Sequence, residues 1–377
     1  MNKIKIDDYQ LFALTANFTI GTTIIAISAS VAGLANQDAW ISAIVAPIAG
    51  IPFILMYYYL GKLNPKKTLV DMYISTFGKW IGWIISAFFV LFVCFMNAAA
   101  IIQYIGTFVQ IEYMPKMPLY AFNTLTVIVL MIGLWYGLEA IARVAEVFIL
   151  PITILIILAM FMDMPNVKVD NLMPIFEKGI TPTLKGSLFL SSYMTWPCIV
   201  LTMFFPSCTN NSPKSRNALI FGYIWGAVIN FICTIMPILV LGSTITATSQ
   251  YPTYLVAKEI SVGIIDRIEV IISFSWIVTE FLRMLLYFYA GVIGLSQLLG
   301  IKDYRKLVFP LGLIALVFSG IVYPDITYQI KWDSTTWVPY IATFGVALPI
   351  ILLITSFIKK QYNSPNLNLK KTIVYSK

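Results

Sequence analysis

The chain has 377 residues, 59% of them apolar and 11% charged, with 25 Lys+Arg against 17 Asp+Glu and a formal charge of +8. A soluble domain is about 45–50% apolar and about 25% charged, so this composition excludes a water-soluble fold and a disordered chain, and makes the bilayer the natural solvent. There is no His, which removes the commonest general base, the usual zinc ligand and the proton switch that works near neutral pH.

Runs of about 20 apolar residues can span a membrane as helices, and ten are present, at 11–35, 40–60, 80–108, 118–136, 141–162, 187–205, 218–243, 270–299, 307–322 and 337–358. The first is too long for a cleavable signal, and its flank Lys3-Ile4-Lys5-Ile6-Asp7-Asp8 is mixed in charge. It contains Thr19-Ile20-Gly21-Thr22-Thr23, a Gly among hydroxyls. The second carries Pro47 and Pro52, and the third the isolated polar groups Asn97, Gln103 and Tyr104, of the kind that tie helices together. A stripe of Glu139, Arg143 and Glu146 opens the fifth and reads as an ion-pair cluster near one membrane surface.

The sixth run contains Thr195-Trp196-Pro197-Cys198, where Pro removes a backbone donor. Between the seventh and eighth, Tyr254-Leu255-Val256-Ala257-Lys258-Glu259-Ile260 is amphipathic and predicts a helix lying at the interface. The eighth places Trp276, Glu280, Arg283 and Tyr287 on one face. A charge at the bilayer centre costs about 2.5–3.5 kcal/mol on insertion scales, so Glu280 and Arg283 either neutralise one another or line a wet site. Arg267 and Glu269 stand at the mouth of this run. The four Cys (Cys94, Cys198, Cys208 and Cys233) lack metal-ligand spacing and read as buried thiols.

With the N-terminus in the cytoplasm, the inner segments hold 17 Lys and Arg and the outer ones 7, so the positive-inside rule places both termini inside. The basic residues mark orientation, not a nucleic-acid partner. Ten spans divide five and five. The first helix of each half then holds a breaker, at Gly21 and Pro197, as in transporters built from two inverted repeats with unwound midplane helices. The expected organisation is one integral-membrane domain over 1–360, with repeats at about 10–162 and 187–358, and a short cytoplasmic tail at 361–377. No metal constellation or phosphate loop is present in the sequence, so no cofactor and no enzymatic activity is expected. A ligand-gated receptor subunit, an autonomous ion-coupled amino acid permease and a scaffold with a vestigial pocket remain open on the residues alone.

Several stretches resemble the spore-germination permease family, the membrane B subunit of endospore germinant receptors within the amino acid–polyamine–organocation superfamily. They are Asn17-Phe18-Thr19-Ile20-Gly21, Phe77-Gly78-Lys79-Trp80-Ile81-Gly82, Asn171-Leu172-Met173-Pro174-Ile175 with Gly179, Pro206, Arg267-Ile268-Glu269 with Trp276-Ile277, and Tyr323-Pro324-Asp325. The resemblance implies an all-α, leucine-transporter-like core of about ten helices with broken helices 1 and 6. It implies a small-molecule germinant, an amino acid or similar nutrient, bound at those breaks and walled by helices 3 and 8. The candidate site residues are Gly21, Thr22, Thr23, Asn97, Trp196, Cys198, Glu280, Arg283 and Tyr287. It also implies a membrane-anchored A-type subunit and a C-type lipoprotein subunit as partners, and the inner membrane of the spore as location. Two features depart from the family pattern. Cys198-Ile199-Val200 stands where many members have Gly-x-Glu, and Arg283 stands where small or hydroxylated residues are common. Both make the cavity less negative.

Overall fold

A chain in lipid must satisfy its backbone internally, which favours helices, and every regular element among the described residues is helical. The computed structural model describes residues 6–209, 212–258 and 267–363. Seven helical segments among these are long and apolar enough to cross a membrane.

Numbered in chain order, α1 is Asp8–Ile20 and Ile27–Ala35, α2 Ala39–Leu63, α3 Leu69–Glu112, α4 Leu119–Tyr136 and α5 Leu138–Met162. The second half supplies α6, made of Ile180–Met194 and Phe205–Cys208, then α7 Pro213–Leu241, α8 Glu269–Leu298, α9 Arg305–Ser319 and α10 Thr327–Lys359. Each of the ten expected runs overlaps one of these helices. Side chains on their outer faces, such as Ile48, Ile132, Val147, Phe161, Ile314 and Ile354, are exposed, and Trp80 is 82% exposed, which suits a lipid-facing surface with interfacial aromatics.

Both expected breaks are present. In α1 a short 3-10 turn, Gly21–Thr23, separates the two halves. In α6 the chain leaves the α-helix at Thr195 and runs as a 3-10 helix over Trp196–Met203, with Pro197 at its start. Another interruption comes at Gly78, whose φ of +83° is one that glycine tolerates without a Cβ clash. It sets the start of α3 at an angle to the membrane-length part that follows.

The helices sort into two groups. In one, α1 packs on α7, α7 on α2 and α2 on α6; in the other, α3 packs on α4, α8 and α9, and α4 on α9. Exchanging the first five helices for the last five maps each group onto itself, the signature of an inverted repeat. α5 bridges α1 and α8. The loops also sort into two faces. Ile6 N–H donates to Cys208 O (3.1 Å) and Lys66 N–H to Pro206 O (3.1 Å) at one end. At the other, Lys168 N–H donates to Leu239 O (3.0 Å) and Phe176 N–H to Asp38 Oδ2 (3.0 Å). These are the sets that the charge count separates.

Three helix starts differ most from expectation. α3 begins at Leu69 instead of 80 and α6 at Ile180 instead of 187. α10 begins about ten residues early, because Asp325 caps it by accepting from Tyr328 N–H (2.7 Å), and Asp333 is carried into the helix. The expected interfacial helix also differs. Pro252–Lys258 packs against α7 and α8 with Tyr254, Val256 and Ala257 buried, so its apolar face meets protein and not lipid. Glu259 and Ile260 lie outside the described residues.

Candidate functional site

Breaking a helix inside a membrane frees carbonyls that need donors. At the α1 break, Thr23 Oγ1 donates to Ile20 O (2.6 Å) and Asn230 Nδ2 to Thr19 O (3.1 Å), and Thr23 and Asn230 also meet side chain to side chain. At the α6 break, Cys198 Sγ donates to Met194 O (3.3 Å) and Tyr57 OH to Trp196 O (3.3 Å). Two further carbonyls beside the breaks accept from Arg283. Its Nη2 donates to Tyr193 O at 2.7 Å and its Nη1 to Phe18 O at 3.2 Å, with a longer Nη2 contact of 3.5 Å to Tyr287 OH. The guanidinium carbon lies 4.9 Å from the centre of the Phe18 ring, a cation–π contact.

Arg283 is only 2% exposed and Glu280 is fully buried. Gly21 is what lets α8 come this close. A Cβ at position 21 would stand 2.5 Å from Arg283 Cδ and 2.8 Å from Glu280 Oε2. Of the two readings left open by the sequence, mutual neutralisation alone does not describe Arg283, which donates to backbone on both broken helices.

Above this junction a cavity of about 410 Å³ opens. Its walls include Ser30 of α1, Asn97 and Tyr104 of α3, Phe189 and Tyr193 of α6, Glu280, Arg283 and Tyr287 of α8, and Gln329, Asp333 and Trp337 of α10. The segment 247–250 forms part of its rim.

Of the candidate residues, Asn97, Glu280, Arg283 and Tyr287 line the cavity, and Gly21 lies directly beneath it. Thr22 belongs to the α1 turn, and its side chain lies outside the described structure. Thr23, Trp196 and Cys198 do not line the cavity. They turn toward the backbone of the breaks or toward α10, where the Trp196 backbone would stand 2.7 Å from a Cβ on Gly345. Trp276, on the expected α8 stripe, is packed between Tyr104 (5.5 Å) and Phe108 (4.9 Å) and braces the wall from behind.

Sequence reasoning missed Tyr193, Gln329 and Asp333. Asp333 is set between Trp332 and Trp337, and an acid flanked by aromatics ahead of an apolar run is the signal that could have found it. It neighbours the Tyr193 hydroxyl. The Glu139–Arg143–Glu146 stripe is remote, with Gln10 Nε2 donating to Glu146 Oε2 at 3.2 Å. At the end of the 252–258 helix Lys258 pairs with Glu112 (2.8 Å), and at the start of α8 Arg267 pairs with Glu269 (3.2 Å).

Residues 5–325 match the family model described as spore germination protein, the spore permease family. The chain belongs to this family. It is 26% identical over 372 residues to spore germination protein KB of Bacillus subtilis (strain 168), covering 96% of this chain and 97% of that one. It is 25% identical over 369 residues to spore germination protein YndE of the same organism, covering 95% and 98%. Among solved structures, a closed nucleobase-cation-symport-1 family transporter, Mhp1, with bromovinylhydantoin bound, matches with a TM-score of 0.68 at 10% identity, over 93% of this chain and 78% of that chain. MhsT in complex with L-phenylalanine matches with a TM-score of 0.63 at 13% identity, over 94% and 99%. At these identities the likeness is one of fold. The fold is the leucine-transporter type, in a multi-pass membrane protein of a permease family and not an enzyme.

Proposed function

We propose that the chain is the integral-membrane subunit of a spore germinant receptor. It binds a small germinant, an amino acid or similar nutrient, in the cavity between α1, α3, α6, α8 and α10, and triggers germination with an A-type membrane subunit and a C-type lipoprotein subunit. It resides in the inner membrane of the spore with both termini cytoplasmic, the orientation the 17-to-7 basic bias favours.

The observation that carries this reading is the cavity itself. It sits on the junction of two broken helices, where unwound backbone commonly meets ligand in this architecture, and it combines Glu280 and Asp333 with the aromatic walls Tyr104, Phe189, Tyr193, Tyr287 and Trp337. Few polar groups placed in an aromatic enclosure are the usual anatomy of a small-molecule site. Family membership supplies the physiological context, and the repeat boundaries near 10–162 and 187–358 are the mechanical units of the same proposal.

Deletion of the gene tests it. Spores lacking the chain should lose germination toward a subset of nutrients and regain it on complementation. Unchanged germination toward every nutrient, with loss of nutrient uptake by growing cells, would instead make the chain an autonomous permease.

A further inference from the structure

In transporters with two broken helices, the C-terminal ends of the half-helices and the unwound carbonyls hold the coupling cation. The reason is electrostatic, because the last turn of a helix presents unpaired carbonyls and the negative end of its dipole. Here two such ends converge. Phe18 lies in the last turn of Asp8–Ile20 and Tyr193 in the last turn of Ile180–Met194. Their carbonyls accept from the two terminal nitrogens of one guanidinium, at 3.2 Å and 2.7 Å.

Arg283 is the one buried basic side chain among the described residues. It reaches this point on a stem that Gly21 accommodates, and the Phe18 ring stacks beside its charged head (4.9 Å). The junction thus already contains a cation with the right partners, covalently attached to α8.

We propose that the Arg283 guanidinium permanently takes the place of a mobile cation at the junction of the two broken helices, so that this core needs no sodium to hold its binding conformation. The proposal deepens the receptor reading. A pump must bind and release its coupling ion in each cycle, whereas a sensor has only to change shape when its ligand arrives. A tethered cation cannot be released, so it removes a sodium gradient acting at this junction as an energy source. It also accounts for the insertion cost of a charge at this depth, which is offset by two backbone acceptors and two aromatic faces.

The test uses the purified full chain in detergent, with the thermal unfolding midpoint as readout, in sodium chloride or choline chloride at equal ionic strength. The wild-type midpoint should agree in the two salts to within about 1 °C. Arg283→Ala should unfold at lower temperature, and sodium or millimolar methylguanidinium should raise its midpoint by about 3 °C or more over choline, since a cation that binds only the folded form stabilises it. Arg283→Lys retains a tethered charge and should stay insensitive to sodium. Stabilisation of the wild type or of Arg283→Lys by sodium would overturn the proposal, and so would an Arg283→Ala variant indifferent to both cations. If Arg283→Ala does not fold, Arg283→Gln is measured in its place with the same expected rescue, and sodium stabilisation of the wild type or of Arg283→Lys still overturns the proposal. Unfolding is measured without any germinant, so this result and the germination result stand or fall separately.

Discussion

Gly21→Ala adds a single methyl group at the closest approach of α1 and α8. That carbon would stand 2.5 Å from Arg283 Cδ and 2.8 Å from Glu280 Oε2. Ordinary carbon contacts lie at about 3.5–4.0 Å, so the α8 side chains must withdraw by roughly 1 Å. Arg283 cannot withdraw freely, because its head is held on Tyr193 O at 2.7 Å and Phe18 O at 3.2 Å. Overpacking of this kind costs about 1–3 kcal/mol, and stranding either carbonyl would add about 1–3 kcal/mol. The expected outcome is a protein that still accumulates in the membrane, unfolds at lower temperature, and needs at least about tenfold more germinant for half-maximal germination, the equivalent of 1.4 kcal/mol. Germination is followed by loss of optical density against germinant concentration, beside immunoblots of the inner spore membrane. Gly33→Ala is the stability control. It places the same methyl on α1 with nothing within 4 Å, and should leave the unfolding midpoint unchanged or raise it, since Ala favours helix over Gly by up to about 1 kcal/mol. Wild-type stability and wild-type germinant sensitivity in Gly21→Ala would refute the close α1–α8 junction.

Two further outcomes follow from the same geometry. A single Cys placed in 163–178, in a chain whose four native Cys are replaced, should react with an impermeant maleimide from outside, whereas one placed in 62–67 should not; the reverse pattern would invert the orientation. Asp333→Asn should keep protein levels and shift the germinant response by about ten- to a hundredfold, as expected when a hydrogen bond to a charged group of about 1.5–3 kcal/mol is weakened, while an unchanged dose response would remove α10 from the site.

Much of this molecule was legible in the sequence because the bilayer imposes simple rules. Apolar run length located the helices, although α3, α6 and α10 start well before the expected runs, and Gly21 and Pro197 stand at the two expected breaks while Pro47 and Pro52 lie inside a continuous α2. The buried charges of α8, costly in lipid, pointed to the wall of the cavity that Glu280 and Arg283 line. What escaped were features that depend on tertiary placement. Thr23 and Cys198 look like ligand groups in a linear reading, yet both serve freed backbone carbonyls. Asp333 looked like part of a loop, since its helix begins at an Asp325 cap and not at an apolar residue. The 252–258 helix carries an interfacial pattern, but α7 and α8 cover the face that lipid was expected to cover. Amphipathicity reports that a face is buried without saying by what.

The central claim is that germinant occupies the cavity on the broken-helix junction. Ser30 lines it from α1, so Ser30→Trp narrows the space from a wall position that carries no charge. Germination rate should be measured against concentration for the nutrient that fails to germinate the deletion spores, in spores carrying Ser30→Trp at wild-type protein level. The account predicts that at least about tenfold more of that nutrient is needed for half-maximal germination, with germination by other nutrients intact. A dose response matching wild type would contradict it, because an indole inside the cavity takes up space and wall contacts that a ligand bound there would use.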